Sequence, residues 1–428
     1  MGHEGAKGGR PNSVPLKRGS AMRPLEGVRI LDFTAAMAGP FATMLLADLG
    51  AEVIKIEPPE GDHARDWGPP SYGEKYSAYF ASVNRGKKSI VLDLKREEAR
   101  EVVYKLVKTA DAVVENFRPG VAERLGVDYK NLKRFNPQLV YCSISGFGEG
   151  PYRDLPAYDL VALAMSGLMD LTGEPERPPV KFAVPITDIA AGFYCALSVT
   201  AAVLSGIPGY IEVPLIEAAI SLLTHQASYY FASGEPPRRM GSAHATIVPY
   251  QAFKAKDGYF ILAVGSDHLW RKFCEAIGRP ELADDPRFRT NADRVKNRDE
   301  LVKILERIFA EGETHHWVRL MWQNGVAAAP VYNVSQVFSD PHIKYRGVVV
   351  EANGPYGPVR MLRSPINSAS MDIGRYTAPP ALGEHTCEIL KELGYTDEQI
   401  RDLLKSGVAR SSSNSCSISR ERSAPAGI

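Results

Sequence analysis

Apolar positions along this chain fall into short, nearly continuous runs separated by segments with helical spacing. Residues 28–33 (VRILDF) form one run, FATMLLADLG after Ala38-Gly39-Pro40 has helical periodicity and ends on a glycine, and EVIKIE returns as an extended run. A strand covered on both faces carries no polar alternation, so this order is the pattern of a βαβ unit. The pattern recurs through SIVLDL, the charged helix REEAREVVYKLVKTA, DAVVENF and QLVYCSISGFG. It predicts a parallel sheet flanked by helices, a Rossmann-like α/β architecture whose strand order stays open.

Beyond Gly150 the spacing predicts small-residue helices over about 156–172 and 188–205, joined by the proline-rich TGEPERPPVKFAVP. In VPYQAFKAKDGYFILAV the KDG triplet marks a hairpin turn, followed by the helices DHLWRKFCEAIG and NRDELVKILERIFAEG. APVYNVSQVF, RGVVVE and PVRMLRSPI read as strands, and CEILKELG as a last helix. The expected organisation is a large Rossmann-like domain, 22–215 with 326–408, and a smaller α+β domain, 216–325. Residues 1–21 and the serine-rich 409–428 carry too few apolar side chains to offset their ordering entropy, and are expected to be disordered tails.

Composition narrows the function. With 51 Lys+Arg against 50 Asp+Glu, the formal charge of +1 argues against a binder of nucleic acid. Five cysteines (Cys142, Cys195, Cys274, Cys387, Cys416) without a CxxC pair suggest neither a disulfide framework nor a zinc or other metal site, and favour a reducing, cytoplasmic setting. The uncharged run Ile189 to Ile211 is rich in Ala, Gly, Ser and Thr and contains Pro208-Gly209, so a buried helix is expected rather than a membrane span. The first βα turn reads DFTAAMAGP, not GxGxxG; although Glu57 stands where a ribose-binding acid would, a dinucleotide enzyme is disfavoured. Arg85, Lys87 and Lys88 form a small basic cluster that reads as solvated surface or a screen for phosphate.

PLEGVRILDFTAAMAGPFATMLLADLGAEVIKIEPPEGD resembles the start of the class III CoA-transferases, the formyl-CoA transferase family. The likeness continues through NRGKKSIVLDLK, ADAVVENFRPGVAERLGVDY, NPQLVYCSISGFG, YDLVALAMSGLMDLTG, ITDIAAG, HATIVPYQAFKAKDGYF and LGEHTCEILKELG, spanning about residues 24–408. Carnitine CoA-transferases and α-methylacyl-CoA racemases resemble members of the same fold family. HATIVPYQAFKAKDGY is most similar to the branch that uses succinyl-CoA and dicarboxylates.

The resemblance implies Asp188 as the nucleophile. The residues agree, because Thr187 suits an N-cap and a carboxylate in the first helical turn is favoured by the helix dipole, which would keep Asp188 ionised. Taken alone, Thr-Asp at a helix start is ordinary capping. For CoA, a cosubstrate rather than a tightly bound cofactor, the resemblance implies contacts from Ala36, Met37, Ala38, Leu92, Lys95, Asn116, Phe117 and Arg124, with Lys95 and Arg124 on phosphate. Met37 replaces the glutamine of formyl-CoA transferase, so no side-chain amide is expected there over an aspartyl intermediate. That enzyme's glycine-rich loop is missing and the turn SGIPGYIEVPLIEA is shortened, two changes that argue against oxalate and formate as substrates. Tyr158 and His244 are the implied substrate contacts, while Asp159 reads as a cap of its own helix.

The racemases are similar to one another in a His directly before the Asp at position 159; this chain has Tyr158, a poor base at neutral pH, which disfavours racemisation. The resemblance further implies an interlocked homodimer with the active site between large and small domains. The expected function is therefore transfer of CoA from an acyl-CoA such as succinyl-CoA to a small carboxylic or dicarboxylic acid through Asp188. The rivals are a 2-methylacyl-CoA epimerase and a non-catalytic acyl-CoA-binding protein.

Overall fold

The apolar runs pair into one seven-stranded sheet. In the computed structural model, which describes residues 22–73, 76–412 and 416, its strands are β1 (Arg29–Asp32), β2 (Glu52–Glu57), β3 (Lys87–Leu92), β4 (Ala112–Glu115), β5 (Val140–Ser143), β6 (Gly209–Glu212) and β7 (Ala409–Arg410). Their order is β7-β3-β2-β1-β4-β5-β6. β1, β2, β3, β4 and β5 run parallel, and β7 closes the edge antiparallel to β3. Leu31, Ile54, Ile90, Val113 and Val114 have no exposed surface, as expected of strands sandwiched between helix layers. The helix Glu97–Val107 buries Ala99, Val102, Val103 and Leu106, one stripe at the i, i+3, i+4, i+7 spacing.

Strand order explains where a ligand can enter. From β1 the chain winds outward through β2 and β3, then returns to the other side of β1 with β4 and β5. The switch point between β1 and β4 leaves a crevice at the carboxyl ends of the strands, the place where open α/β sheets bind ligands.

Two compact units divide the chain differently from the expected partition. The first takes the described residues up to Ser143, then Cys195–Ile211 and those from Val349 on; the second takes Ile144–Tyr194 and Glu212–Val348. Residues 144–194, 212–215 and 326–348, grouped with the large domain by their sequence, thus belong to the second unit. That unit holds an antiparallel sheet with Tyr259–Ala263 between Tyr250–Lys254 and Ala327–Pro330, packed on a core that includes Phe253, Phe260, Trp270, Phe273 and Phe309. The expected hairpin at KDG is present.

Several expectations change. Gly167, at φ +84°, breaks the expected helix 156–172 into Asp159–Met165 and Leu168–Leu171. The segment read as a strand through NVSQVF is helical over Val334–Ser339, because Asn333 and Gln336 form a reciprocal capping box. Residues 409–412 are not a disordered tail. Ala409 and Arg410 add a strand to the sheet edge, and the Thr386 hydroxyl donates to the Arg410 carbonyl at 2.7 Å. Cys387 is bridged to Cys416, a pairing that the cysteine spacing had not suggested. Residues 1–21 lie outside the described residues, as do 413–415 and 417–428 of the expected C-terminal tail.

The helix Ile186–Ser205 is the one described helix long and apolar enough to cross a membrane. It buries Ala190, Ala191, Cys195 and Val199, while Phe193, Leu197 and Leu204 are more than half exposed. The expected burial therefore holds for one face only.

Candidate active site

The turn after β1 is built by side chains from three neighbouring segments. Lys55 on β2, fully buried, donates to the Thr34 carbonyl at 2.6 Å and pairs with Asp62 at 3.0 Å. Asp62 Oδ1 accepts the Ala36 amide at 3.1 Å, and the Asn116 side chain both accepts from the Ala35 amide and donates to its carbonyl, each at 2.9 Å. These bonds hold Ala36 at φ +68°, a left-handed conformation that costs a non-glycine residue free energy. A Cβ on Gly39 would lie 2.3 Å from the Thr34 side chain, so only glycine lets the helix Ala38–Asp48 start this close to the turn.

Beside the turn lies a cavity of about 230 Å³ at the carboxyl ends of β1, β2 and β3. Phe33, Ala35, Pro58, Pro59, Leu92, Leu94, Phe117 and Leu125 give it apolar walls, and Lys95 and His63 stand in its lining. The apolar slot suits a planar base, and Lys95 is the lysine in a lining that also holds the carboxylates of Glu57, Glu60, Asp62 and Asp93. Of the residues expected at CoA, Leu92, Lys95 and Phe117 line this cavity, and Asn116 braces its Ala35 wall. Ala36 continues the turn, Met37 and Ala38 are buried at the helix start, and Arg124 is exposed beside Leu125 without lining the cavity. Pro58, Pro59, His63 and Leu94 were not foreseen. Their signal was positional, since EPPEGD leaves the carboxyl end of β2 and Asp93-Leu94 that of β3.

The basic cluster proves structural. Lys87 is buried and donates to Asp32 (3.0 Å), the Pro40 carbonyl (2.9 Å) and Asn84 (2.9 Å); Arg85 pairs with the buried Asp48, and only Lys88 is partly exposed, between Glu52 and Glu388. Burial pushes the Lys87 ammonium down to about 8. Burial alone would raise Asp32, but Lys87 and Lys55 outweigh it and hold that carboxyl at about 2. Glu57 is likewise committed, receiving two bonds from Arg65 at 2.7 and 2.8 Å, which removes it as a ribose ligand.

Asp188 has a different setting. Its helix begins at Ile186, so Thr187 lies in the first turn rather than at the cap. The cap comes from Asp159, which opens the helix Asp159–Met165 with Tyr158 at its N-cap. Asp159 Oδ1 accepts the Thr187 hydroxyl at 2.7 Å, the Thr187 amide at 2.9 Å and the Asp188 amide at 3.4 Å. Asp159, expected to cap its own helix, thus caps another. Among the described residues no cation pairs with Asp188. Burial and then the charge of Asp159 push its carboxyl up to about 7. The expectation of a fully ionised carboxylate is corrected accordingly, because desolvation and a like charge outweigh the helix dipole. Tyr158 is 61% exposed, and His244, in the second unit with Asp188, is half-buried and accepts the Thr246 amide on Nδ1 at 3.1 Å.

Residues 25–386 match the model of CoA-transferase family III. The succinyl-CoA:glutarate CoA-transferase of Mus musculus is 41% identical over 415 residues, covering 95% of this chain and 94% of that protein. A succinate–glutarate CoA-transferase of Agrobacterium fabrum is 40% identical, covering 86% of this chain and 96% of its own length. A CAIB/BAIF family protein from Brucella suis, solved by crystallography, superposes with a TM-score of 0.79 at 42% identity over 87% of this chain and 100% of that one. This chain belongs to CoA-transferase family III.

Proposed function

We propose that the protein moves CoA from an acyl-CoA such as succinyl-CoA to a small carboxylic acid, dicarboxylic acids foremost, through covalent intermediates on Asp188. The observation that carries the reading is geometric: at the start of its helix Asp188 stands beside Asp159, whose Oδ1 accepts the Asp188 amide at 3.4 Å, and among the described residues no cation pairs with it, so burial and that like charge push its carboxyl up to about 7. Weak solvation and higher basicity make the ionised fraction a better nucleophile. The Asp188 carboxylate attacks the thioester carbonyl, the C–S bond breaks, and CoA thiolate leaves a mixed anhydride. Thiolate then attacks the aspartyl carbonyl, expelling the donor acid as its carboxylate and leaving an aspartyl-CoA thioester. The acceptor carboxylate repeats these two steps in reverse and regenerates Asp188. Every intermediate is an activated acyl group, so exclusion of water is essential.

Lys95, Phe117, Leu92 and the turn around Ala36 are proposed to hold CoA, and the names of the relatives support succinyl-CoA and dicarboxylates as substrates. A homodimer is proposed with the same reading, supported by the apolar face that Phe193, Leu197 and Leu204 expose, since patches of this kind are commonly covered by a partner. Hydroxylamine added during turnover with succinyl-CoA and glutarate should convert Asp188 to a hydroxamate, read by peptide mass spectrometry. Transfer that proceeds without any trapped Asp188 rejects the covalent path, and exchange of the substrate α-proton with solvent deuterium would support the epimerase instead.

A further inference from the structure

A dicarboxylic acid bound for reaction at one end leaves its other carboxylate to be met by donors, and the second unit holds a matching pair of rings. His225 opens the helix His225–Ser233, and His244 lies in the loop before the strand Tyr250–Lys254. Their imidazoles are parallel within 9°, with centroids 6.1 Å apart. Each is tethered at Nδ1. His244 accepts the Thr246 amide there at 3.1 Å, which places the ring proton on Nε2, and the Thr224 hydroxyl lies 3.2 Å from His225 Nδ1. Among the described residues neither Nε2 makes a hydrogen bond. Thr224 itself sits at φ +43°, a strained conformation that sets the direction of His225.

Behind the pair stands Arg298. Its Nη2 donates to the His244 and Ala245 carbonyls at 2.8 Å each, while Nη1 is buried with no hydrogen-bond partner and no carboxylate pairs with the guanidinium among the described residues. The His244 Nε2 proton, the His225 Nε2 proton in the tautomer whose Nδ1 accepts from Thr224, and a guanidinium with an unpartnered Nη1 make a donor set for one carboxylate, with hydrogen bonds of about 2.8 Å. The pair is also tied to the helix of Asp188. Tyr194 Oη bonds Ser221 Oγ at 3.0 Å, four residues before His225, and Tyr194 follows Asp188 on the same helix by about 9 Å of axial rise.

We propose that His225 and His244, backed by Arg298, bind the second carboxylate of the dicarboxylic acid and so set the preference for diacids. This rests on the transfer reading above. The test compares glutarate with valerate, which lacks that carboxylate, as CoA acceptors for the full-length wild type and for His225→Phe and His244→Phe, which keep a ring and lose the donors. Wild type should prefer glutarate, and each variant should lower the glutarate-to-valerate ratio of kcat/KM about 10- to 100-fold, chiefly through KM for glutarate. Thermal melts confirm that the variants fold. A wild-type preference that both variants keep overturns this site and leaves the transfer reading standing. A wild type that moves CoA from succinyl-CoA to none of a panel of small mono- and dicarboxylic acids overturns the transfer reading itself.

Discussion

Two aspartates placed close to helix starts have opposite fates in this chain. Asp32, at the end of β1, is fully buried yet accepts bonds from Thr34 and Thr43 and lies against Lys87, which with Lys55 keeps it charged at about 2. Asp188, less completely buried, faces another carboxylate and rises to about 7. Burial therefore does not by itself mark a reactive group. On the proposed reading the mark is a missing countercharge, because a carboxylate held by a cation must give up that pair to attack a carbonyl and is the weaker nucleophile.

The largest expected effect tests the proposed nucleophile. Asp188→Ala should lower transfer by about a thousandfold or more while calorimetric binding of CoA persists; unchanged transfer would collapse the contrast. Next comes the structural member. Lys87→Met strands Asp32 in the core and should cost about 3–5 kcal/mol in urea unfolding, as broken buried pairs do.

The two carboxylates should also give opposite pH slopes. Asp32, lowered in the fold from 3.8, adds stability above that value which is lost as pH falls towards 2. Asp188, raised from 3.8, holds its proton longer folded than unfolded, so its contribution turns unfavourable as pH climbs from about 4 to about 7. Measured at a pH of about 8, Asp188→Asn should thus raise the melting temperature and Asp32→Asn lower it.

Smaller effects sharpen the picture. Asn116→Ala removes both bonds to Ala35 and should raise KM for the acyl-CoA about tenfold with little change in kcat. The smallest concerns pH and rate. Protonated Asp188 cannot attack, so kcat/KM should rise with pH and level off above about 7. Asp159→Asn should move that rise to lower pH, since it removes the like charge and leaves the burial; a pH–rate profile that stays in place would show that Asp159 exerts no field on Asp188.

How much of this was legible in the letters varies with the range of the interaction. The βαβ order, the KDG hairpin and the stripe on Glu97–Val107 follow from periodicity within a dozen residues, and the structure keeps them. Asp188 emerged from the order of family motifs, since Thr-Asp at a helix start is common. The proline pair 58–59 in the cavity wall was visible as letters but not as a wall, because strand order decides which loops meet.

The sequence alone determined the βαβ strands and helices of the first unit, a first turn without GxGxxG that disfavours a dinucleotide, and the aspartate to watch. Tertiary structure decided the rest. It turned Lys87 from a surface charge into the buried partner of Asp32, brought Asp159 across 29 residues to the start of the Asp188 helix, and drew Ala409 onto the sheet edge. Hydrophobic periodicity is written locally, one turn or one pleat at a time, whereas the charge felt by a carboxylate depends on whichever distant segment packs against it.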